Sequence, residues 1–314
     1  MAKPSEITPV STFRLAELVT EAGFPPGTFN VVNGTGPVTG AALVAHPGVD
    51  KVSFTGSTAT GRAVGRATVD RIAHLTLELG GKSAAIVCAD ANLDQAVEGV
   101  INGIFFNAGQ VCDAGSRLIV DDSVYAPFMD RLVAAAHKIV VGPGLDPETF
   151  MGPLVSAAQH NKVMGYIAEA RASDLRFALD RSEVQLGGWY AGPVIIEDCP
   201  VDHAVWREEI FGPVLAVRRA SGPAALLDLA AQSDYGLAAA IYSRDLATVL
   251  TMARRLDAGT IYVNGHGFLD PSFPFGGLGQ SGLGKDLGPE QMDAYLDTKA
   301  VLLSGLSLPG EVAR

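Results

Sequence analysis

Short apolar runs alternate with longer amphipathic stretches along most of this chain, and that alternation restricts the fold more than any single residue does. Residues 11–22 (STFRLAELVTEA) place Leu15, Leu18 and Val19 on one helical face, with Ser11 or Thr12 as cap and Gly23 as stop. A strand is expected at Phe29–Asn33, then a glycine-rich turn and a helix opened by Pro37. Lys51–Phe54 reads as a strand, Thr58–Val69 as a helix and Ile72–Leu77 as a strand. From Gly80 the pattern restarts: Ala84–Cys88 and Arg117–Val120 as strands, 92–105 and 122–139 as helices. Further helices are expected at 156–173, 222–233 and 245–256, with strands near 193–196, 214–218, 237–242 and 260–263. This is α/β grammar, which builds a parallel sheet covered by helices. The apolar tail Thr298–Leu303 is expected to be an edge strand, open to pairing with another chain.

At 314 residues the chain can bury one large core or two ordinary ones. Its first unit is short: each βαβ needs roughly 30 residues, so residues 1–80 supply about one half of a doubly wound domain, and the expectation is that the domain's beginning is absent. A formal net charge of −11 argues against a protein that tracks nucleic-acid phosphates or binds an anionic membrane. Cys88, Cys112 and Cys199 are too few and too scattered for a disulfide framework, so a reducing cytoplasm is the default compartment. The N-terminus has no apolar signal core, and no apolar run is long enough to span a bilayer.

Cys112 ends the run Asn107-Ala108-Gly109-Gln110-Val111-Cys112, beyond an apolar helix and before a strand. A thiolate there is a nucleophile for carbonyl carbon, and small neighbours let a substrate approach; the bland reading is a structural loop cysteine. Cys88 reads as core, and nothing around Cys199 suggests activation. Glu78, in Leu77-Glu78-Leu79-Gly80-Gly81-Lys82, closes an apolar strand where partial burial would raise its pKa toward that of a general base; the alternative is a solvated strand end. Gly56 and Ser57 join a strand to a helix whose free amides suit an anion, as many turns that bind nothing also do. Glu208-Glu209-Ile210-Phe211-Gly212-Pro213 pairs acids with an aromatic, or is simply a charged loop. The histidines show no metal spacing and Ser281 lacks a nucleophile elbow, so no metal site and no serine hydrolase is expected. The glycines at 277, 279 and 282 match a dinucleotide fingerprint in form but follow a loop.

Taken together and in this order, LysProSerGlu at 3–6, GlyPheProProGly at 23–27, PheThrGlySer at 54–57, GluLeuGlyGlyLys at 78–82, AsnAlaGlyGlnValCys at 107–112, GluGluIlePheGlyPro at 208–213 and ProPheGlyGly at 274–277 resemble the aldehyde dehydrogenase superfamily. The resemblance implies an α/β fold with a partial Rossmann-type NAD-binding domain at 1–80. A catalytic domain at 81–280 and a return segment with an oligomerisation strand at 281–314 complete it. It implies that Cys112 attacks the aldehyde to give a thiohemiacetal, that hydride loss leaves a thioester, and that Glu78 activates the water releasing a carboxylic acid. Glu209, with Phe211, would hold the nicotinamide ribose; Lys3 and Glu6 the adenosine ribose, with the carboxylate favouring NAD over NADP. Gly36, Gly56, Ser57 and Leu79 would complete the cofactor site. The implied partners are a small aldehyde and further copies of the chain in a dimer or tetramer.

Two departures modify that expectation. The family's N-terminal segment, with an Asn that completes the oxyanion hole, has no counterpart here, and one such donor is typically worth ~10²–10³ in rate, so the isolated chain is expected to be weak or inactive. Asp113 follows Cys112 where small or hydroxyl residues are usual, and its charge would disfavour the thiolate. Rival readings are a cofactor-independent Cys esterase or thioesterase, and a non-catalytic remnant acting as an interaction module. A coenzyme A-acylating relative is opposed by the retained Glu78. Phe106, Trp206 and Phe273 could line an apolar pocket, but are expected to pack in the core.

Overall fold

A computed structural model describes residues 1–305. Helix α1 (Val10–Glu21) forms where its period predicts, yet buries none of its residues, and Phe13, Leu15 and Leu18 remain exposed. The strand expected at Phe29–Asn33 is reduced to one parallel bridge between Val31 and Ala2. A strand needs a neighbour to take its ladder bonds, and here only that short N-terminal segment lies alongside. A π-helical turn at Gly36–Gly40 runs into α2 (Ala41–Ala45). Then β1 (Lys51–Thr55), α3 (Thr58–Val69) and β2 (His74–Glu78) make a parallel βαβ unit that sets Thr55 opposite Glu78. Strand β2 begins two residues later than expected because Ile72, at φ 55° and 94% exposed, belongs to the turn that ends α3.

The larger unit contains β3 (Ala84–Val87), α4 (Leu93–Phe105), β4 (Arg117–Asp121), α5 (Tyr125–His137), α6 (Ala157–Ala172) and β5 (Arg176–Asp180). It continues through β6 (Val194–Glu197), α7 (Ala204–Arg207), β7 (Val214–Ala220), α8 (Gly222–Ala230), β8 (Tyr235–Gly236), β9 (Ala238–Tyr242), α9 (Leu246–Arg255) and β10 (Thr260–Val263). Its sheet has the order β10-β9-β3-β4-β7-β6-β5, parallel except for β5 at one edge. Strands β3, β4 and β9 are buried along their whole length. That explains why they read as continuous apolar runs and not as alternating ones: helices cover both faces of a parallel sheet. Helix N-termini are closed by the side chains of Ser57, Asn92, Ser156 and Asp245, each accepting from amides that would otherwise be orphaned.

The chain then turns back through β11 (Leu278–Gly279), which pairs with β8, and β12 (Gly282–Leu283), which pairs antiparallel with β2 and sets Gly282 opposite Glu78. Helix α10 (Gly288–Asp293) follows. Residues 298–303, expected as an edge strand, form none within this chain and stay exposed, because no neighbouring strand lies beside them among the described residues. Trp206 is fully buried as expected, whereas Phe106 and Phe273 are 62% and 68% exposed and do not pack in the core. Among the described residues no helix is long and apolar enough to cross a membrane, and no cluster of His, Cys, Asp and Glu could hold a metal ion.

Candidate active site

Cys112 is delivered by a backbone reversal. After α4 the chain enters three successive left-handed residues, Asn107 (φ 52°), Ala108 (φ 55°) and Gly109 (φ 69°). Glycine tolerates this region and asparagine visits it, but alanine pays for it, roughly 1–3 kcal/mol. The reversal is held by its own side chains: Asn107 Nδ2 donates to the Gln110 carbonyl at 3.0 Å, and Gln110 Nε2 donates to the Asn107 carbonyl at 3.2 Å. Gln110 Oε1 accepts from the Val155 amide at 2.9 Å. Gly109 lies against the Gly212 carbonyl with no room for a β-carbon, which docks this loop onto the Phe211-Gly212-Pro213 turn. Asn107, Gly109 and Gln110 are thus the frame of the loop, and Cys112, half-buried, is what it presents. Cys88 is in the core as expected, 3% exposed, and Cys199, read from the sequence as a loop residue without activation, is fully inaccessible as well.

The Cys112 thiol is pushed up to about 12, first by burial and then by the negative charge of Asp113, with Glu78 adding in the same direction. Amide hydrogens of Asp113 and of Cys112 itself point at the sulfur and oppose the shift. The charge of Asp113 therefore acts as the sequence suggested.

Glu78 ends β2 and is 5% exposed, with no hydrogen-bond partner for either carboxylate oxygen. Burial raises its pKa to about 8, Asp286 raises it further and Lys285 opposes. A carboxylate that titrates near neutrality and keeps both oxygens free is equipped to take a proton from water. Gly276 is buried against Glu78 Oε1, at a φ of 155° and with no space for a side chain. Ser281, which is fully buried, donates to the Gly80 carbonyl at 2.7 Å and accepts from the Gly236 amide at 3.1 Å. Its carbonyl also takes the Leu79 amide at 2.9 Å. This serine is a clamp on the strand end, not a nucleophile.

The strand end that bears Glu78 and the loop that bears the thiol meet at Gly81, where a β-carbon would overlap the Cys112 main-chain carbonyl. On the other side of Gly80 and Gly81 stands Glu209. Its carboxylate covers Gly80, filling the space that a β-carbon would take, and accepts from the Gly81 amide at 3.2 Å. Burial raises the Glu209 pKa, while the Gly81 amide, Lys162 and Lys82 lower it. Phe211 adopts φ 58°, and its carbonyl is held by Gln159 Nε2 at 2.7 Å. Ser57 is exposed at the N-terminus of α3 and caps it; Gly56 precedes it. Leu79 turns its side chain beneath α3 against Gly61, so only its main chain can face a ligand. Lys3 donates to the Gly34 carbonyl at 2.8 Å and lies 3.8 Å from Glu6, near the exposed Gly36.

Lys285, Asp286, Tyr262 and His266 were not singled out by the sequence. Lys285, Asp286 and His266 lie in loops and Tyr262 in the expected strand at 260–263, and only the folded chain brings them to the site.

Residues 1–301 match the aldehyde dehydrogenase family. The chain is 42% identical to a mitochondrial aldehyde dehydrogenase of Leishmania tarentolae, over 98% of this chain and 62% of that protein. It is 41% identical to betaine aldehyde dehydrogenase 2 of Rhizobium meliloti, over 96% of this chain and 63% of that one. Among solved structures, the NAD+ complex of an aldehyde dehydrogenase from Bacillus cereus superposes with a TM-score of 0.93 at 41% identity, covering 95% of this chain and 61% of the other. The chain thus spans about three fifths of the length of the relatives it matches.

Proposed function

Since this chain belongs to the aldehyde dehydrogenase family, we propose that it oxidises an aldehyde to a carboxylic acid with NAD, using Cys112 as nucleophile and Glu78 as general base. The observation that carries this reading is the backbone contact between Gly81 and Cys112. It sets a half-buried thiol and a buried carboxylate with a pKa of about 8 on adjoining segments.

In this reading Cys112 gives up its proton to solvent and its sulfur bonds to the carbonyl carbon, the carbonyl π electrons passing to oxygen. The oxyanion so formed would be held in part by a backbone amide at Cys112. NAD, when bound, supplies the hydride acceptor. A thioester remains on Cys112, and Glu78 removes a proton from the water that attacks it, returning the thiol and releasing the acid. Both Glu78 oxygens are free of internal partners, which suits a group whose partner is water.

The residues present fit such a cofactor. Glu209, seated on Gly80 in a cradle a β-carbon would fill, would take the nicotinamide-side ribose, with Phe211 beside it. Ser57 at the start of the twelve-residue α3 would meet the pyrophosphate. Lys3 and Glu6 would hold the adenosine ribose, where a carboxylate repels a 2′-phosphate. The exposed Val301, Leu302 and Leu303 would serve as a pairing surface for a second copy of the chain.

The test is to mix the 314-residue protein with NAD and a panel of aldehydes, follow NADH, and search the Cys112 peptide for an acyl adduct after acid quench. Slow NADH formation is expected, with an adduct confined to Cys112. Ester hydrolysis indifferent to NAD, without aldehyde oxidation, would establish a cofactor-independent hydrolase in its place.

A further inference from the structure

Cys112 is followed by a carboxylate that the fold has taken out of water. Asp113 and Tyr262 are 3% and 2% exposed, and the Tyr262 hydroxyl donates to Asp113 Oδ2 at 2.7 Å. A second tie reaches the same residue: His266 Nε2 lies 2.8 Å from the Asp113 carbonyl. A carbonyl only accepts, so Nε2 carries the proton, and Nδ1 is left buried without a partner. The imidazole fits because Gly103 on α4 and Gly115 after the thiol loop leave room for it. Tyr262, from β10, packs against His266 with the two rings tilted by 38° and their centroids 5.0 Å apart. The residue next to the nucleophile is therefore gripped by both its side chain and its main chain.

The groups that face the thiol are the Asp113 carboxylate on its own loop, Glu78 from β2 and the Tyr262 phenol from β10. His266 faces Asp113, while Lys285 and Asp286 face Glu78. Among the described residues no cation is a leading influence on the Cys112 thiol to offset its carboxylate neighbours.

We propose that Tyr262 is a positioning residue for Cys112, acting through Asp113: its hydroxyl fixes the carboxylate and draws off part of the negative potential that the thiol feels. The proposal rests on the reading of Cys112 as nucleophile. Removing the carboxylate relieves the thiolate of a like-charged neighbour. Removing only the phenol leaves that neighbour in place with its charge undamped. The two changes push in opposite directions, whereas general loosening of the loop would push both the same way.

The experiment is iodoacetamide labelling of the 314-residue protein across pH, with the Cys112 peptide quantified by mass spectrometry. Unlabelled Cys88 and Cys199 certify that each variant is folded. For Asp113→Asn the labelling midpoint is expected to fall by about one pH unit. For Tyr262→Phe it rises by less than that, and Tyr262→Met, which also lacks the donor, moves it the same way. In an Asp113→Asn background Tyr262→Phe has no further effect. A Tyr262→Phe shift that is absent, downward, or equal in both backgrounds overturns the proposal. Labelling needs neither aldehyde nor cofactor, so the positioning role stands or falls on these shifts whatever the chain does with an aldehyde.

Discussion

Gly81 rests against the main-chain carbonyl of Cys112, so close that a β-carbon at position 81 would overlap that oxygen. The segment leading from Glu78 and the loop bearing the thiol are in backbone contact, and their spacing is set by an absent side chain. Gly81→Ala forces them apart. Overpacking of this kind costs about 1–3 kcal/mol, and a backbone oxygen yields less readily than a flexible side chain. A lower urea midpoint is expected, with a loss of aldehyde oxidation that persists at temperatures where the variant is still folded. Full activity in the folded variant would show that the spacing is set elsewhere.

The pKa of about 8 at Glu78 has consequences for rate and for stability. A general base works ionised, so the rate of thioester hydrolysis should rise with pH and level off above about 8. For stability the sign is opposite. The folded chain keeps the Glu78 proton up to about pH 8, whereas the unfolded chain loses it near ~4.3. Between these values the native state binds more protons, and its stability falls as pH rises. Glu78→Gln should remove that decline while slowing deacylation by ~10²–10⁴. Stopped-flow NADH measurement would then show a single burst, with the acyl-enzyme accumulating. Steady turnover without a burst would dismiss Glu78 as the base.

Asp286 and Lys285 tune that carboxylate in opposite senses, the first raising its pKa and the second lowering it. Asp286 is itself half-buried, with Oδ1 lacking a partner. Asp286→Asn should therefore move the pH–rate midpoint to lower pH, and Lys285→Met should move it higher. Rate profiles at matched ionic strength read both. Identical midpoints in the two variants would mean that burial alone sets Glu78.

These partners show where the sequence ran out. The parallel strands were legible because β3, β4 and β9 are buried on both faces and so read as unbroken apolar runs. Cys112 and Glu78 drew notice because each sits beside glycines where a strand or helix ends, but only the family resemblance set them above a structural loop cysteine and a solvated strand end. The frame of Asn107 and Gln110, the clamp of Ser281 and the pair Tyr262–Asp113 were not legible. The last two depend on contacts between segments distant in the chain, Ser281 with Gly80 and Tyr262 with Asp113, while the frame of Asn107 and Gln110 is local but rests on left-handed backbone that leaves no periodic pattern. The segments at 29–33 and 298–303 have strand composition, but a strand exists only where a neighbour accepts its ladder, and composition does not report neighbours.

Glu209 is set on Gly80 by shape and on the Gly81 amide by a hydrogen bond. Glu209→Gln keeps the shape and weakens the acceptor. If the carboxylate takes a ribose hydroxyl, the cofactor KM should rise about tenfold, the equivalent of ~1.4 kcal/mol, with the aldehyde KM little changed. Gly80→Ala should displace the carboxylate and do the same without altering any charge. Cofactor titrations of both variants separate the effects, and an unchanged cofactor KM in each would remove Glu209 from the cofactor site.

Lys82, next along the strand end, is 2% exposed and its ammonium has no hydrogen-bond partner. Burial lowers its pKa to about 7; the positive charge of Arg117 lowers it further, while Cys199 and Glu209 oppose. In the unfolded chain the same group titrates near ~10.4. Between about pH 7 and ~10 the unfolded state therefore binds more protons, and native stability rises with pH. Below about 7 both states are charged, and the cost of burying the ammonium is fully present. Lys82→Met fills a similar volume without the charge. It should be more stable than the parent at pH 6–7, by on the order of a few kcal/mol before packing differences, and should lose the rise with pH that the parent shows. Denaturation midpoints at pH 6, 7.5 and 9 decide this. A variant that keeps the parent's slope would mean that the Lys82 ammonium is solvated in the folded chain.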